Sequence, residues 1–197
     1  MADKYGTGGD TLYCYPGSDV LINKLGLIDR VALEAAEIEL TQARIEHFEP
    51  DFDDISLSAL RRIHRHLFQD IYNWAGELRM VDISKGSTRF ANVSRIEPEA
   101  EKLFFRLAQE GYLKGLRHEQ FAARLAHYYS ELNVVHPFRD GNGRAQRLMF
   151  EVISINAGYL LQWEPIGRIE WQEANIGAYN GRLEPLVGLL KRSLKPM

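Results

Sequence analysis

Twelve residues, His136 to Arg147 (HPFRDGNGRAQR), constrain this chain more than any other segment. Pro137 stops whatever helix precedes it, because proline offers no N–H and clashes with the turn before it. Gly141 and Gly143, on either side of Asn142, allow a tight loop. Directly afterwards Ala145, Leu148, Met149, Val152 and Ile153 follow the i, i+3, i+4, i+7, i+8 pattern of a helix with one face in a core. The segment therefore reads as helix, loop, helix. A helix ends near Val135, and the next starts near Asn142 or Gly143.

That arrangement suits an anion. Glycine lets backbone N–H groups approach closely, and the free N–H groups and positive dipole end of a helix bind phosphate. Arg144 and Arg147 lie one turn apart at the same end. Placed there without a partner, each cation costs roughly 0.3–1 kcal/mol. A bound polyphosphate reverses the sign, and the spacing lets two guanidinium groups meet successive phosphates. Asp140 adds a carboxylate of the kind Mg²⁺ takes alongside phosphate oxygens. His136 is the group whose ordinary pKa suits a general base for a hydroxyl nucleophile. The same residues also fit a plain turn, with Asp140-Gly141 and Asn142-Gly143 as turn dipeptides, solvated arginines and a core histidine. The residues alone leave both readings open.

The remaining chain reads as mostly α. Leu27 to Phe48 suggests one helix, with Ala32, Leu33, Ala36, Ile38, Leu40 and Ala43 as its apolar positions, and Pro50 follows its end. Ser56 is placed as the N-cap of a helix carrying Leu60, Ile63, His64, Leu67, Phe68 and Ile71. Residues 80–93 change period: Met80, Val81 and Ile83 are extended in character, and Lys85-Gly86-Ser87 punctuates before Thr88, Phe90 and Val93, which predicts a short hairpin. Pro98 is expected to open a helix to about Glu110. His118 to Asn133, Trp171 to Tyr179 and Leu183 to Leu194 complete the set. The predicted architecture is a single domain over 1–197 with an irregular arm at 1–18 and one small hairpin.

Composition narrows the function. A net charge of −3 gives no basic footprint for nucleic acid. The single cysteine, Cys14, excludes an intramolecular disulfide and fits a reducing compartment. The N-terminus lacks the features of a secretory signal, and no apolar run reaches the ~18 residues of a membrane span. A cytoplasmic protein is expected.

HPFRDGNGRAQR resembles the Fic motif, HPFx[DE]GNGRxxR, and matches every specified position. YPGSDVLINKLG, IHRHLFQDIYNWAGELR, VDISKGSTRF and NAGYLLQW are also similar to segments of the bacterial stand-alone Fic toxins, so the resemblance covers nearly the whole chain. It implies a Fic fold, a bundle of about seven or eight helices with a short hairpin flap. It implies transfer of AMP from ATP to a hydroxyl of a target protein. Carried over, His136 deprotonates the target hydroxyl and Asp140 holds Mg²⁺. Gly141, Asn142 and Gly143 form the anion hole, Arg144 binds the β-phosphate and Arg147 the γ-phosphate, and Phe138 anchors the loop. A glycine at 143, where a phosphorylating branch has lysine, favours AMP transfer.

Residues from Ile83 to Phe90, including Ser84, Lys85 and Gly86, form the implied flap, which aligns the target by strand addition; an ordinary surface hairpin is the alternative. The adenine is expected against the helix bearing Trp171, Asn175 and Tyr179, with core packing the alternative for Trp171. Many relatives carry an inhibitory helix, [ST]xxxE[GN], whose glutamate pairs with the second motif arginine. No Ser or Thr here has a glutamate four residues on. The resemblance therefore implies a separate small antitoxin that presents its glutamate to Arg147, over a surface including the N-terminal helices. By analogy the targets are type II topoisomerase ATPase subunits, those of DNA gyrase and topoisomerase IV. Delivery of such a domain into another cell is a further possibility.

Overall fold

Residues 10–197 are described in the computed structural model, and the first nine residues of the expected arm lie outside that range. Among the described residues seven α-helices, one 3₁₀ turn and two small two-stranded sheets follow in order. Helix α1 (Arg30–Glu46) is started by Asp29, whose carboxylate accepts from the Ala32 N–H. Helix α2 (Leu57–Phe68) is capped by Ser56 in the same way, through the Ala59 N–H. Its face of Leu60, Ile63, His64, Leu67 and Phe68 is buried.

Strands β1 (Ser84–Lys85) and β2 (Thr88–Arg89) form the expected hairpin, with Ser84 opposite Arg89 and Lys85 opposite Thr88. Helix α3 (Val93–Gln109) begins earlier than the sequence suggests. Pro98 lies inside it rather than opening it. The first turn is secured from outside, because Asp82 accepts from the Val93 N–H and from Asn92 Nδ2. That capping anchors the turn before Pro98, whose missing N–H then leaves a single unmade helical bond.

Helix α4 (His118–Val135) runs through the core, with Phe121, Leu125 and Ala126 fully enclosed. Helix α5 (Asn142–Asn156) lies beside it and against α2, and buries the anticipated stripe of Ala145, Leu148, Met149, Val152 and Ile153. A second sheet, which no period in the sequence marks, follows α5. Strand β3 (Tyr159–Leu161) pairs antiparallel with β4 (Leu194–Pro196), Leu160 opposite Lys195. Between them helices α6 (Arg168–Tyr179) and α7 (Glu184–Ser193) pack on each other, and α7 packs on α4. The chain's end is thus tied to the end of α5.

The described part of the arm, residues 10–18, is irregular but anchored. Asp10 accepts from the N–H groups of Leu12 and Tyr13. Its other oxygen takes the Arg139 Nε at 2.7 Å, in an ion pair whose side chains are almost wholly enclosed. No described helix is long and apolar enough to cross a membrane.

Candidate active site

The loop from His136 to Gly141 rests on side chains from three directions. Phe138 is fully buried and stacks on His64 with ring centroids 3.9 Å apart. His64 Nδ1 accepts from the Gly76 N–H at 2.9 Å, so its Nε2 carries the proton and donates to the Asp140 carbonyl, also at 2.9 Å. Burial holds this histidine neutral, with its pKa down at about 4. The Asn142 side chain turns back on the loop, accepting from the Phe138 N–H and donating to the Phe138 carbonyl. What Asn142 offers an anion is therefore its backbone N–H. Arg139, one of the unspecified positions of the motif, ties the loop to the arm through Asp10.

His136 caps the C-terminus of α4 in the left-handed conformation, φ +48°. Few non-glycine residues adopt it, and it is found where surrounding contacts enforce it. Here Nδ1 faces the Asn133 carbonyl at 3.1 Å, so Nδ1 holds the proton and Nε2 the lone pair. Phe90 of the hairpin lies flat on the imidazole, centroids 3.8 Å apart and 15° from parallel.

The start of α5 is arranged for an anion. Gly141 adopts φ +77°, and a Cβ there would stand 2.3 Å from a Phe68 ring carbon, so only glycine fits. Its N–H is held by Asp140 Oδ1. The N–H groups of Asn142 and Gly143 have no hydrogen-bond partner among the described residues. Gly143 is different from Gly141: a Cβ there would meet only Arg147 Nη1, at 3.9 Å. Arg147 thus folds back over the helix start, and it makes no hydrogen bond or ion pair among the described residues.

Arg144 has a protein partner. Its guanidinium lies over the Phe68 ring and reaches Glu37 Oε2 of α1 at 2.5 Å and Thr41 Oγ1 at 3.4 Å. Tyr72 donates to the other Glu37 oxygen. Burial, then the neighbouring Glu37, pushes the Tyr72 phenol far up, so it remains a donor. No motif or spacing in the chain points to this carboxylate. Glu37 occupies the inner face of α1, where the apolar pattern placed nothing polar.

The hairpin brings part of its predicted set to the site. Ile83 is buried beneath it, Phe90 covers His136, and Ser84, Lys85 and Gly86 form the outer end. Of the expected adenine residues, Trp171 packs edge-on against Tyr129 and Trp163. Asn175 accepts from Asn133 Nδ2 at 3.3 Å, which places it beside the residue that orients His136. Tyr179 reaches the hairpin: its hydroxyl donates to the Arg89 carbonyl at 3.0 Å and accepts from the Arg89 N–H at 3.3 Å.

A mostly helical bundle, an anion-ready helix start and an oriented histidine under a hairpin define a class of nucleotide-handling proteins. The chain belongs to the Fic/DOC family, whose model matches residues 54–154. It is 45% identical over 194 residues to a protein of Salmonella typhimurium LT2 named "Probable protein adenylyltransferase Fic", covering 98% of this chain and 96% of that one. It is 46% identical over 186 residues to the Escherichia coli K12 protein of the same name, covering 94% and 92%. The N-terminal Fic domain of a VirB-translocated Bep effector from Bartonella quintana, solved with bound ADP, superposes with a TM-score of 0.88 at 30% identity, covering 94% of this chain and 95% of that one.

Proposed function

We propose that this chain is a protein adenylyltransferase that moves AMP from ATP onto a hydroxyl group of a target protein. The observation that carries the reading is one helix start. The N–H groups of Asn142 and Gly143, unpartnered among the described residues, and the guanidinium of Arg147 lie together there, next to the loop that carries an oriented His136. Relatives named as adenylyltransferases along nearly the whole chain, and the ADP-bound Fic domain, support it.

In this reading His136 Nε2 takes the proton of the target hydroxyl. The hydroxyl oxygen bonds to the α-phosphorus, the bond from that phosphorus to the bridging oxygen breaks, and pyrophosphate leaves. The N–H groups at the start of α5 receive negative charge on the phosphates where it develops, without having to reorganise. Arg147 holds the terminal phosphate. Arg144 holds the β-phosphate if Glu37 yields it. One carboxylate beside a phosphate site is the donor set Mg²⁺ takes, so Asp140 fits that ion. When bound, it would offset phosphate charge. The hairpin from Ile83 to Phe90 guides the target segment by main-chain pairing. Trp171, Asn175 and Tyr179 border the adenine end.

The regulatory part of the reading is a toxin controlled by a separate small antitoxin, whose helix carries a glutamate to Arg147. Support comes from the outer face of α1. Val31, Ile38 and Ile45 are exposed there at a spacing of seven residues, and Ile28 is exposed just before the helix, the pattern of a helix awaiting another helix. Type II topoisomerase ATPase subunits are the proposed targets.

The test is incubation of bacterial lysate with the protein and labelled ATP, GTP, UTP or CTP in parallel, followed by mass spectrometry of the labelled proteins. AMP on a hydroxyl of a topoisomerase subunit, absent with His136→Ala although that variant still binds ATP, is the expected result. Labelling by another nucleotide would replace ATP. A His136→Ala variant that keeps the cellular phenotype would point to a nucleotide-binding module without turnover.

A further inference from the structure

We propose that Arg79 is the positioning residue that fixes His136 and the two roots of the flap relative to one another. Arg79 stands outside the motif, between α2 and the hairpin, and its side chain is enclosed. Its Nε donates to the His136 carbonyl at 2.9 Å and Nη1 to the Val81 carbonyl at 2.8 Å. Its Nη2 donates to the carbonyls of Ala91 and, at 3.3 Å, Val135. Val81 and Ala91 are where the hairpin leaves and rejoins the body, and Val135 and His136 are where α4 ends. The main chain ties the same point, with the Arg79 N–H on the Pro137 carbonyl and the Ala91 N–H on the Val134 carbonyl.

The charge explains why an arginine stands here. Asp82 comes no nearer than 3.9 Å, and it is largely exposed and engaged in capping α3. Carbonyl oxygens from three segments surround the buried cation, two of them at the negative end of the α4 dipole. Only a planar fork with several fixed donors satisfies oxygens in so many directions. A lysine supplies one nitrogen and cannot span them. His136 holds a left-handed backbone that it would not choose alone, and Arg79 grips the carbonyl of that residue. One guanidinium therefore sets the distance between the base and the strand that guides the target. None of these four contacts involves Asn142, Gly143 or Arg147, the groups proposed to bind phosphate.

This inference rests on the reading of His136 as base and the hairpin as target guide, and its test separates the two. Arg79→Lys and Arg79→Met are compared with wild type in the full chain, with ADP affinity by calorimetry serving as the check on folding. ADP affinity is expected to stay at the wild-type value while kcat for AMP transfer falls about 100-fold, as misplacement of a base does. Amide hydrogen exchange across 83–91 is expected to quicken, and the His136 imidazole NMR signals to shift. Wild-type kcat and wild-type exchange in either variant would overturn the proposal. So would a loss of ADP affinity in proportion to kcat, the mark of a purely structural role. If the wild-type protein transfers no nucleotide, the function fails, but flap exchange and the His136 signals still decide the role of Arg79.

Discussion

Replacing each of the two loop glycines by alanine should separate folding from chemistry. At Gly141 the new methyl would lie 2.3 and 2.4 Å from two Phe68 ring carbons and 3.1 Å from His64 Nε2. Phe68 is fully buried and cannot swing away. Over-packing of this kind costs about 1–3 kcal/mol. The left-handed backbone at φ +77° adds about 1–2 kcal/mol once a Cβ is present. The total, about 2–5 kcal/mol, is a large share of the stability of an ordinary domain. Gly143 has no such constraint, since its only neighbour would be Arg147 Nη1 at 3.9 Å. It sits within α5, where alanine is the better helix former by up to about 1 kcal/mol. Its methyl would instead stand where a phosphate must approach the N–H groups. Loss of one such donor interaction lowers kcat about 100-fold or more. Urea unfolding and initial rates of AMP transfer on the same preparations provide the comparison. Gly141→Ala should unfold at much lower urea, while Gly143→Ala should be as stable as wild type or more so, and nearly inactive. Wild-type transfer by Gly143→Ala would refute phosphate binding at this backbone, and wild-type stability in Gly141→Ala would refute the packing argument.

Three further outcomes are expected. His64 is held near a pKa of about 4, below its unfolded value of 6.5, so the unfolded chain binds its proton first as pH falls. The stability is complete above about pH 6.5 and declines progressively to about pH 4, by roughly 3 kcal/mol. Urea midpoints across that range should fall in wild type and fall less in His64→Asn; equal slopes would remove His64 as the cause. Glu37→Gln should destabilise by about 1–3 kcal/mol, as it weakens a charge-assisted contact to Arg144. It should also tighten ADP binding but not AMP binding, and unchanged ADP affinity would mean that Arg144 does not reach the β-phosphate. Tyr179→Phe removes the hydroxyl that holds both backbone groups of Arg89. Faster amide exchange at Arg89 is expected, with a global change of only about 1 kcal/mol; unchanged protection would show that the contact does not restrain the flap.

The parts of the fold carried by local chemistry were legible in the chain. The stripe from Ala145 to Ile153 and the glycine loop before it specify α5 and its start, and Ser56 specifies the start of α2. Helix α1 shows how such a reading fails. Its apolar pattern included Ile38, yet Ile38 faces outward and Glu37 and Thr41 face inward. A buried carboxylate satisfied by Arg144 and Tyr72 inverts the usual rule, and its partners lie far along the chain. The pairing of β3 with β4 joins residues near 160 and 195 through only three positions each, too few to show a period. Arg79 and His64 were hidden for a related reason. Their partners are mostly backbone carbonyls and an N–H, which no side-chain pattern encodes.

The loop is held by groups from several parts of the chain. His64, Phe138, Asn142, Arg139 and Arg79 fix it in place, while Phe90 over His136 and Glu37 on Arg144 belong to the hairpin and to α1. The reacting floor is thus a fixed die, and its adjustable jaws are borrowed from elsewhere in the chain. On the proposed function, the hairpin and α1 are where recognition and control would be altered while the die keeps its geometry.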